Sequence, residues 1–399
     1  MQNIEIYTAF ALLLASFVVG MLGRLIKIPY TIALVVAGLG IGALGWIPQA
    51  HLSPELLFAV FLPPLLFEGG INIKLQYLRH QWQLILVLAL FGTIISMCTV
   101  GWSMSALFGV PLFVALLFGA IISPTDPISV LAIFRSSGMN ERLTMVVEAE
   151  SLFNDGVAVV LFVVVQQIIV SNSFSLIESL LLFGRNVCGG IVVGLVIGAL
   201  VSYLMMKTKD HLLCTTLTTI AAYGTYIAAE SVHVSGVIAV VVASLVIGNY
   251  GISKRLSASA YNAVMAFWEY AAFAVNSLVF LLIGIEVVKI ITAEFWQPLL
   301  FGAVVVLFGR ALSVYFLAAI FRLVGKKIPV NWQHMLVWSS LRGALSMAMV
   351  MGIALDFPYR DTLLTYTFAV VLFSLIVQGL TVAPLIKHLK LAKADAHLQ

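Results

Sequence analysis

Three short stretches place carboxylates, hydroxyls and an arginine inside otherwise apolar sequence. The first reads Ile122-Ser123-Pro124-Thr125-Asp126-Pro127. Each of its two prolines lacks an N–H and clashes with the preceding turn, so a helix running through here is expected to open. In lipid, an opened helix is tolerated only where its backbone is buried in protein or lines a wet cavity. The freed carbonyls, the Thr125 hydroxyl and the Asp126 carboxylate are hard oxygen ligands, suited to a small hard cation. The plainer alternative is a proline kink solvated by Thr125. That alternative leaves Asp126 unexplained, because a charge in a span costs several kcal/mol.

The second stretch is Glu148-Ala149-Glu150-Ser151-Leu152-Phe153-Asn154-Asp155-Gly156. On a helix, residues four apart share a face. Ser151 and Asp155 then face one way, with Glu148 a turn earlier, and Glu150 and Asn154 occupy a neighbouring face. Three carboxylates this close do not all stay charged without a cation or an arginine nearby. For Glu148 a second reading stays open, a helix end pointing into the cytoplasm. Asp155 lies deeper and leads into an apolar run.

The third is Ser339-Ser340-Leu341-Arg342-Gly343. A buried arginine needs a carboxylate. Glu150 is the candidate, which leaves Asp155 to titrate. The alternative is snorkelling, although Arg342 falls roughly 16 Å into its span at about 1.5 Å per residue. Glu68 follows Pro63-Pro64, and the double proline implies an irregular helix. It is read either as a site acid or as an acid at the inner end of its span, close to Lys74. Arg310 is a counter-charge for Glu286 or Glu269, with no choice between them. His211, His233 and His334 fall at span ends and take no role.

The elements that position these residues must be membrane helices. The chain has 399 residues, of which 62% are hydrophobic and 10% charged, and its mean hydropathy is +1.11. Soluble domains are about 25% charged. Hydropathy and breaker residues give about thirteen spans of about 20 residues each: 4–23, 29–46, 54–72, 83–108, 111–134, 143–170, 175–206, 211–230, 234–249, 258–288, 298–321, 332–355 and 363–386. The apolar start carries Glu5 and no basic region, and it reads as the first helix rather than a signal peptide. Cys98, Cys188 and Cys214 lie in apolar stretches and are read as packing residues. With the N-terminus outside, 16 of the 21 Lys and Arg fall in inner loops and two in outer loops, as the positive-inside rule requires. Residues 1–390 are read as one transmembrane domain and 391–399 as a short cytoplasmic tail. The net charge of +4 reports orientation, and no nucleic acid is expected.

Together, residues 61–70, 123–127, 150–156 and 341–343 resemble the motifs of the monovalent cation:proton antiporter-1 family, specifically its NhaP-type sodium/proton antiporters, and more distantly the animal sodium/proton exchangers. They occur in the same order over most of the chain. The resemblance implies an all-α NhaA/NhaP-like fold, with a core domain of two crossing broken helices, a dimerisation domain and a homodimer. It implies that Asp155 carries the cation or the proton and that Asn154 belongs to an asparagine–aspartate pair. Ser151, Asp126 and Thr125, the last through its carbonyl, help form the Na⁺ site. Glu68 acts near it, and Glu150 and Arg342 form a structural ion pair.

The expected activity is therefore exchange of Na⁺, and of Li⁺, for protons across the cell membrane by alternating access, with no cofactor and no enzymatic chemistry. Charge counting points to electroneutral exchange, since a carboxylate with Na⁺ and a protonated carboxyl are both neutral. The rivals are a K⁺/H⁺ antiporter of the same fold, a cation channel, for which no filter loop is visible, and an intramembrane aspartyl protease using Asp126 and Asp155 as a dyad. The absence of His-Glu-x-x-His excludes a zincin.

Overall fold

In a computed structural model, the structure describes residues 10–21, 29–46, 56–208, 210–253, 256–290 and 296–391. Those residues form helices, and no β-strand occurs among them. Seven helices among them are long and apolar enough to cross a membrane: Leu75–Phe108, Glu141–Ser171, Leu176–Met205, His211–Ser231, Ala258–Val288, Pro298–Leu323 and Arg360–His388. Shorter apolar helices, including Phe10–Met21 (α1) and Tyr30–Leu44 (α2), accompany them. Large apolar side chains such as Phe17, Trp102, Leu181 and Phe308 stand on the surface. A protein in water rarely leaves so much apolar surface open, whereas lipid solvates it.

Several helix starts are written in the chain. Asp210 caps His211–Ser231 (α10) by accepting from the amides of Leu212 and Leu213, and Ser235 caps Gly236–Val246 (α11) by accepting from Ile238. Both are favoured N-cap residues. The helix containing Glu68, Leu62–Asn72 (α3), is regular and carries Pro63 and Pro64 in its first turn, where proline costs nothing. The expected irregularity lies just upstream, as a π-helical turn at Leu56–Phe61. The span expected from residue 83 begins earlier, with Leu75–Val87 (α4) running through a π turn into Thr93–Phe108 (α5).

The chain divides into two compact units, one of Met1–Pro54, Phe91–Val147 and Asn276–Gln399, the other of Glu55–Leu90 and Glu148–Val275. In the first unit, Leu112–Ile122 (α6) lies against α5 so closely that a β-carbon at Gly101 would meet the Leu116 backbone at 2.9 Å. The Tyr30 hydroxyl lies 2.7 Å from the Ser277 hydroxyl. In the second unit, α3 packs on α11: the Ser244 side chain fills the space beside Gly70, and the Ile71 carbonyl lies where a Gly248 β-carbon would go. The Asn249 amide locks this contact. Its Nδ2 donates to the carbonyls of Ile73 and Leu245, and its Oδ1 accepts from the Leu75 amide. Small residues at contacts and hydrogen bonds between helices are how membrane helices associate without a hydrophobic driving force.

Of the charge map, Arg24, Lys27, Lys209, Lys254, Arg255 and Lys393 lie outside the described residues, as do Glu5 and the tail from residue 392 on. Arg185 and Glu269 are exposed, and Glu286 is half-buried. Cys214 is buried, while Cys98 and Cys188 are at the surface, where a packing role does not apply to them.

Candidate cation site

In the first unit, two helices are interrupted. The segment expected as one span over 111–134 is α6 followed by Pro127–Ser136 (α7), with residues 123–126 non-helical between them. Pro124 and Pro127 account for the opening, as the sequence indicated. The segment expected over 332–355 is Val330–Trp338 (α14) followed by Ala344–Met351 (α15), with the helix broken over 339–343. No proline marks this second break.

The two breaks hold each other. The Asp126 amide donates to the Leu341 carbonyl at 2.8 Å. The Arg342 guanidinium donates through one nitrogen to the carbonyls of Ser123 and Pro124, at 3.0 and 3.1 Å. Arg342 is 1% exposed. A broken helix leaves orphan carbonyls that are expensive in an apolar interior, and here a cation-bearing side chain meets two of them. Ser123 satisfies another, its hydroxyl donating to the Gly119 carbonyl at 2.6 Å.

Asp126 is the N-cap of α7, its Oδ1 accepting from the Ile128 amide at 3.0 Å. Its other side faces Gly343, the N-cap of α15, where an added β-carbon would lie 2.7 Å from Asp126 Cβ and 3.0 Å from Oδ2. One carboxylate thus lies at the starts of two half-helices, where the helix dipole favours negative charge. Thr125, beside it, is buried. A carboxylate, a hydroxyl and the backbone of an opened helix are collected in one place.

In the second unit, Glu148, Glu150, Ser151 and Asn154 on Glu141–Ser171 (α8) are buried, and Asp155 is half-buried. The Asn154 amide donates to the Glu150 carboxylate at 3.2 Å, the four-residue pairing that helix spacing dictates. Gly156 lets α8 approach α11, since a β-carbon there would meet Ile238 Cγ1 at 2.8 Å. Glu68 on α3 is half-buried, and the Asn72 amide donates to its Oε1 at 2.7 Å and to its carbonyl at 2.9 Å. Asn72 escaped the sequence reading, although its position four residues after Glu68 was the available signal. Phe67 is fully buried, with its ring centroid 4.4 Å from that of Trp268. The Trp268 indole N–H in turn donates to the Thr218 hydroxyl at 3.0 Å.

Arg310, on Ala303–Leu323 (α13), is buried and donates through Nε and a terminal nitrogen to the Leu336 carbonyl at 3.3 and 3.2 Å. This helix-end contact was not foreseen. Of the three histidines expected at span ends, His211 and His233 are exposed, and His334 is exposed with its ring 2.7 Å from the Tyr315 hydroxyl.

Paired helix breaks that set opened backbone beside a half-buried carboxylate are an arrangement characteristic of membrane ion transporters, in which irregular backbone at membrane depth lines the place where an ion is handled. The chain belongs to the sodium/hydrogen exchanger family: the model of its transmembrane region, described as "Sodium/hydrogen exchanger, transmembrane", matches residues 12–388. It is 41% identical to the Na⁺/H⁺ antiporter ApNhaP of Aphanothece halophytica over 92% of this chain and 70% of that one. It is 36% identical to the Na⁺/H⁺ antiporter NhaH of Halobacillus aidingensis over 97% of this chain and 99% of that one. In fold it matches the sodium proton antiporter MjNhaP1 of Methanocaldococcus jannaschii with a TM-score of 0.80, at 21% identity, covering 98% of this chain and 99% of that one. The family is one of transporters, not enzymes, so the protease reading of Asp126 and Asp155 falls away.

Proposed function

We propose that this chain is a secondary active antiporter that exchanges Na⁺, and also Li⁺, for protons by alternating access. The observation that carries this reading is the pair of broken helices joined through Asp126, Leu341 and Arg342, in a chain matched by the sodium/hydrogen exchanger model over residues 12–388. A preformed opening of this kind offers a dehydrated cation oxygen ligands without unfolding a helix.

Asp155 is the carrier in this reading. It binds a cation or a proton, never both, so each half of the cycle moves the same charge and exchange is electroneutral. Ser151, Asp126 and the Thr125 carbonyl supply further cation ligands, and Glu68 acts on the ion directly or through water. Glu150 and Arg342 keep their charges through the cycle. Support comes from their surroundings: the Asn154 amide lies on the Glu150 carboxylate, and backbone carbonyls lie on the guanidinium. Residues 1–390 act as one transport domain in the cell membrane, as a homodimer, with the N-terminus outside and the C-terminus in the cytoplasm.

The test is proton flux in sealed proteoliposomes that are acid inside, with Na⁺, Li⁺ or K⁺ added outside and a pH dye followed. Alkalinisation with Na⁺ and Li⁺ is expected. A response to K⁺ alone would replace the assignment with K⁺/H⁺ exchange, and no response to any cation from inserted, folded protein would refute antiport.

A further inference from the structure

The carbonyls at the end of α14 are all accounted for. Four residues, from Leu336 to Ser339, lose their helical acceptor role where the helix breaks, and unmet carbonyls would be costly there. Met335 O keeps the last helical bond, from the Ser339 amide at 2.8 Å, and Ser339 O accepts from the Leu341 amide at 2.9 Å. Val337 O accepts from the Ser340 hydroxyl at 2.8 Å. The other two are met from outside the segment: Leu336 O by Arg310 on α13, and Trp338 O by the Gln378 amide at 3.0 Å.

Gln378 is not alone on its helix. The last long helix, Arg360–His388, is Arg360–Phe373 (α16) and Gly379–His388 (α17), joined by a π turn at Ser374–Gln378. The Ser374 hydroxyl accepts from the Arg342 amide at 3.1 Å while donating to the Val371 carbonyl at 2.9 Å. The Thr381 hydroxyl accepts from the Trp338 indole at 2.9 Å. Residues 374, 378 and 381 all meet the segment around the second break. Ser374 and Gln378 are 1% and 3% exposed, and polar side chains buried that deeply are kept only where their bonds are needed. A π turn inserts one residue into a helix and re-aims the face beyond it, and such turns are frequent at functional sites.

We propose that Ser374 and Gln378, with Arg310, are positioning residues that hold the 339–343 backbone in the form that transports. None of them touches the ion. They act through Arg342 and Leu341, whose bonds to residues 123–126 shape the first break. By covering two carbonyls at the negative end of α14, Arg310 and Gln378 also withdraw them from competition for the cation, leaving the opened backbone at residues 123–126 as the place where it is bound. This assignment rests on the antiporter reading.

The experiment compares Ser374→Ala and Gln378→Met with the unaltered full chain. It reads the Na⁺ dependence of proton flux in proteoliposomes and amide hydrogen exchange over residues 339–343. Each variant is expected to raise the half-saturating Na⁺ concentration about tenfold, the worth of one hydrogen bond, with maximal flux retained and faster exchange in that segment. A merely structural role would lower the maximum and leave half-saturation in place. Ser374→Ala removes one oxygen and adds no bulk, so it decides the matter if Gln378→Met does not fold. Folded variants with unchanged half-saturation and unchanged exchange would overturn the clamp. If the unaltered protein shows no Na⁺-dependent flux, the antiporter reading fails, and the exchange rates alone still decide whether these side chains hold the break.

Discussion

A β-carbon on Gly343 would lie 2.7 Å from the β-carbon of Asp126, although 217 residues of chain separate the two. The contact joins the start of α15 to the break between α6 and α7, and it leaves no room for a side chain. Gly343→Ala is therefore predicted to push the two breaks apart, at about 1–3 kcal/mol of stability, and to lower Na⁺-dependent flux about tenfold or more through misplacement of Asp126. Melting in detergent and flux in proteoliposomes check this. An alanine variant with unaltered flux would mean that the contact is incidental.

Arg342 donates through one terminal nitrogen to the carbonyls of Ser123 and Pro124. Arg342→Met keeps an unbranched apolar stem and removes every donor. Two buried carbonyls lose a charged partner, a loss of about 3 kcal/mol. The variant is expected to melt well below the unaltered protein, and an unchanged melting temperature would show that those carbonyls find other partners at no cost.

Asn72 fixes the Glu68 carboxylate through a 2.7 Å bond. Asn72→Leu leaves the helix intact, since leucine is a better helix former, but the carboxylate loses its fixed orientation. The half-saturating Na⁺ concentration is expected to rise about tenfold, the worth of a charge-assisted bond, with little change in melting. If Glu68 plays no part in transport, Asn72→Leu transports normally.

In the proposed cycle, electroneutral exchange depends on Asn154 being an amide. Flux through the unaltered protein is expected to ignore a membrane potential imposed by a potassium gradient and an ionophore. Asn154→Asp puts a second acid where an amide now lies 3.2 Å from the Glu150 carboxylate, and two carboxylates that close titrate as a pair. Its remaining flux is expected to respond to the potential. Potential-driven flux in the unaltered protein would contradict the one-carboxylate cycle.

How much of this was legible in the sequence varies by element. The first break was readable because Pro124 and Pro127 mark it with a local rule. The second was not, since Ser339-Ser340-Leu341-Arg342-Gly343 contains no proline, and what holds it open comes from Arg310 and Gln378, distant in the chain. The helix Leu75–Phe108 was cut short at residue 83 because Arg79 and His80 depress hydropathy in a stretch that continues the helix beyond the apolar segment. The Glu150–Asn154 pairing followed from helical spacing alone, and the same spacing would have found Asn72. The Ser374 and Gln378 contacts depend on a π turn, for which no sequence rule was available.

The central claim is that one carboxylate, Asp155, carries either Na⁺ or a proton. The most direct measurement is Na⁺-dependent proton flux by the unaltered protein and by Asp155→Asn, over a range of pH, in the same proteoliposomes. The account predicts no cation-dependent flux from the folded Asn variant at any pH. It also predicts that in the unaltered protein, at acid pH, the half-saturating Na⁺ concentration rises about tenfold per pH unit as protons compete for the site. Flux retained by Asp155→Asn, or half-saturation independent of pH, would contradict it.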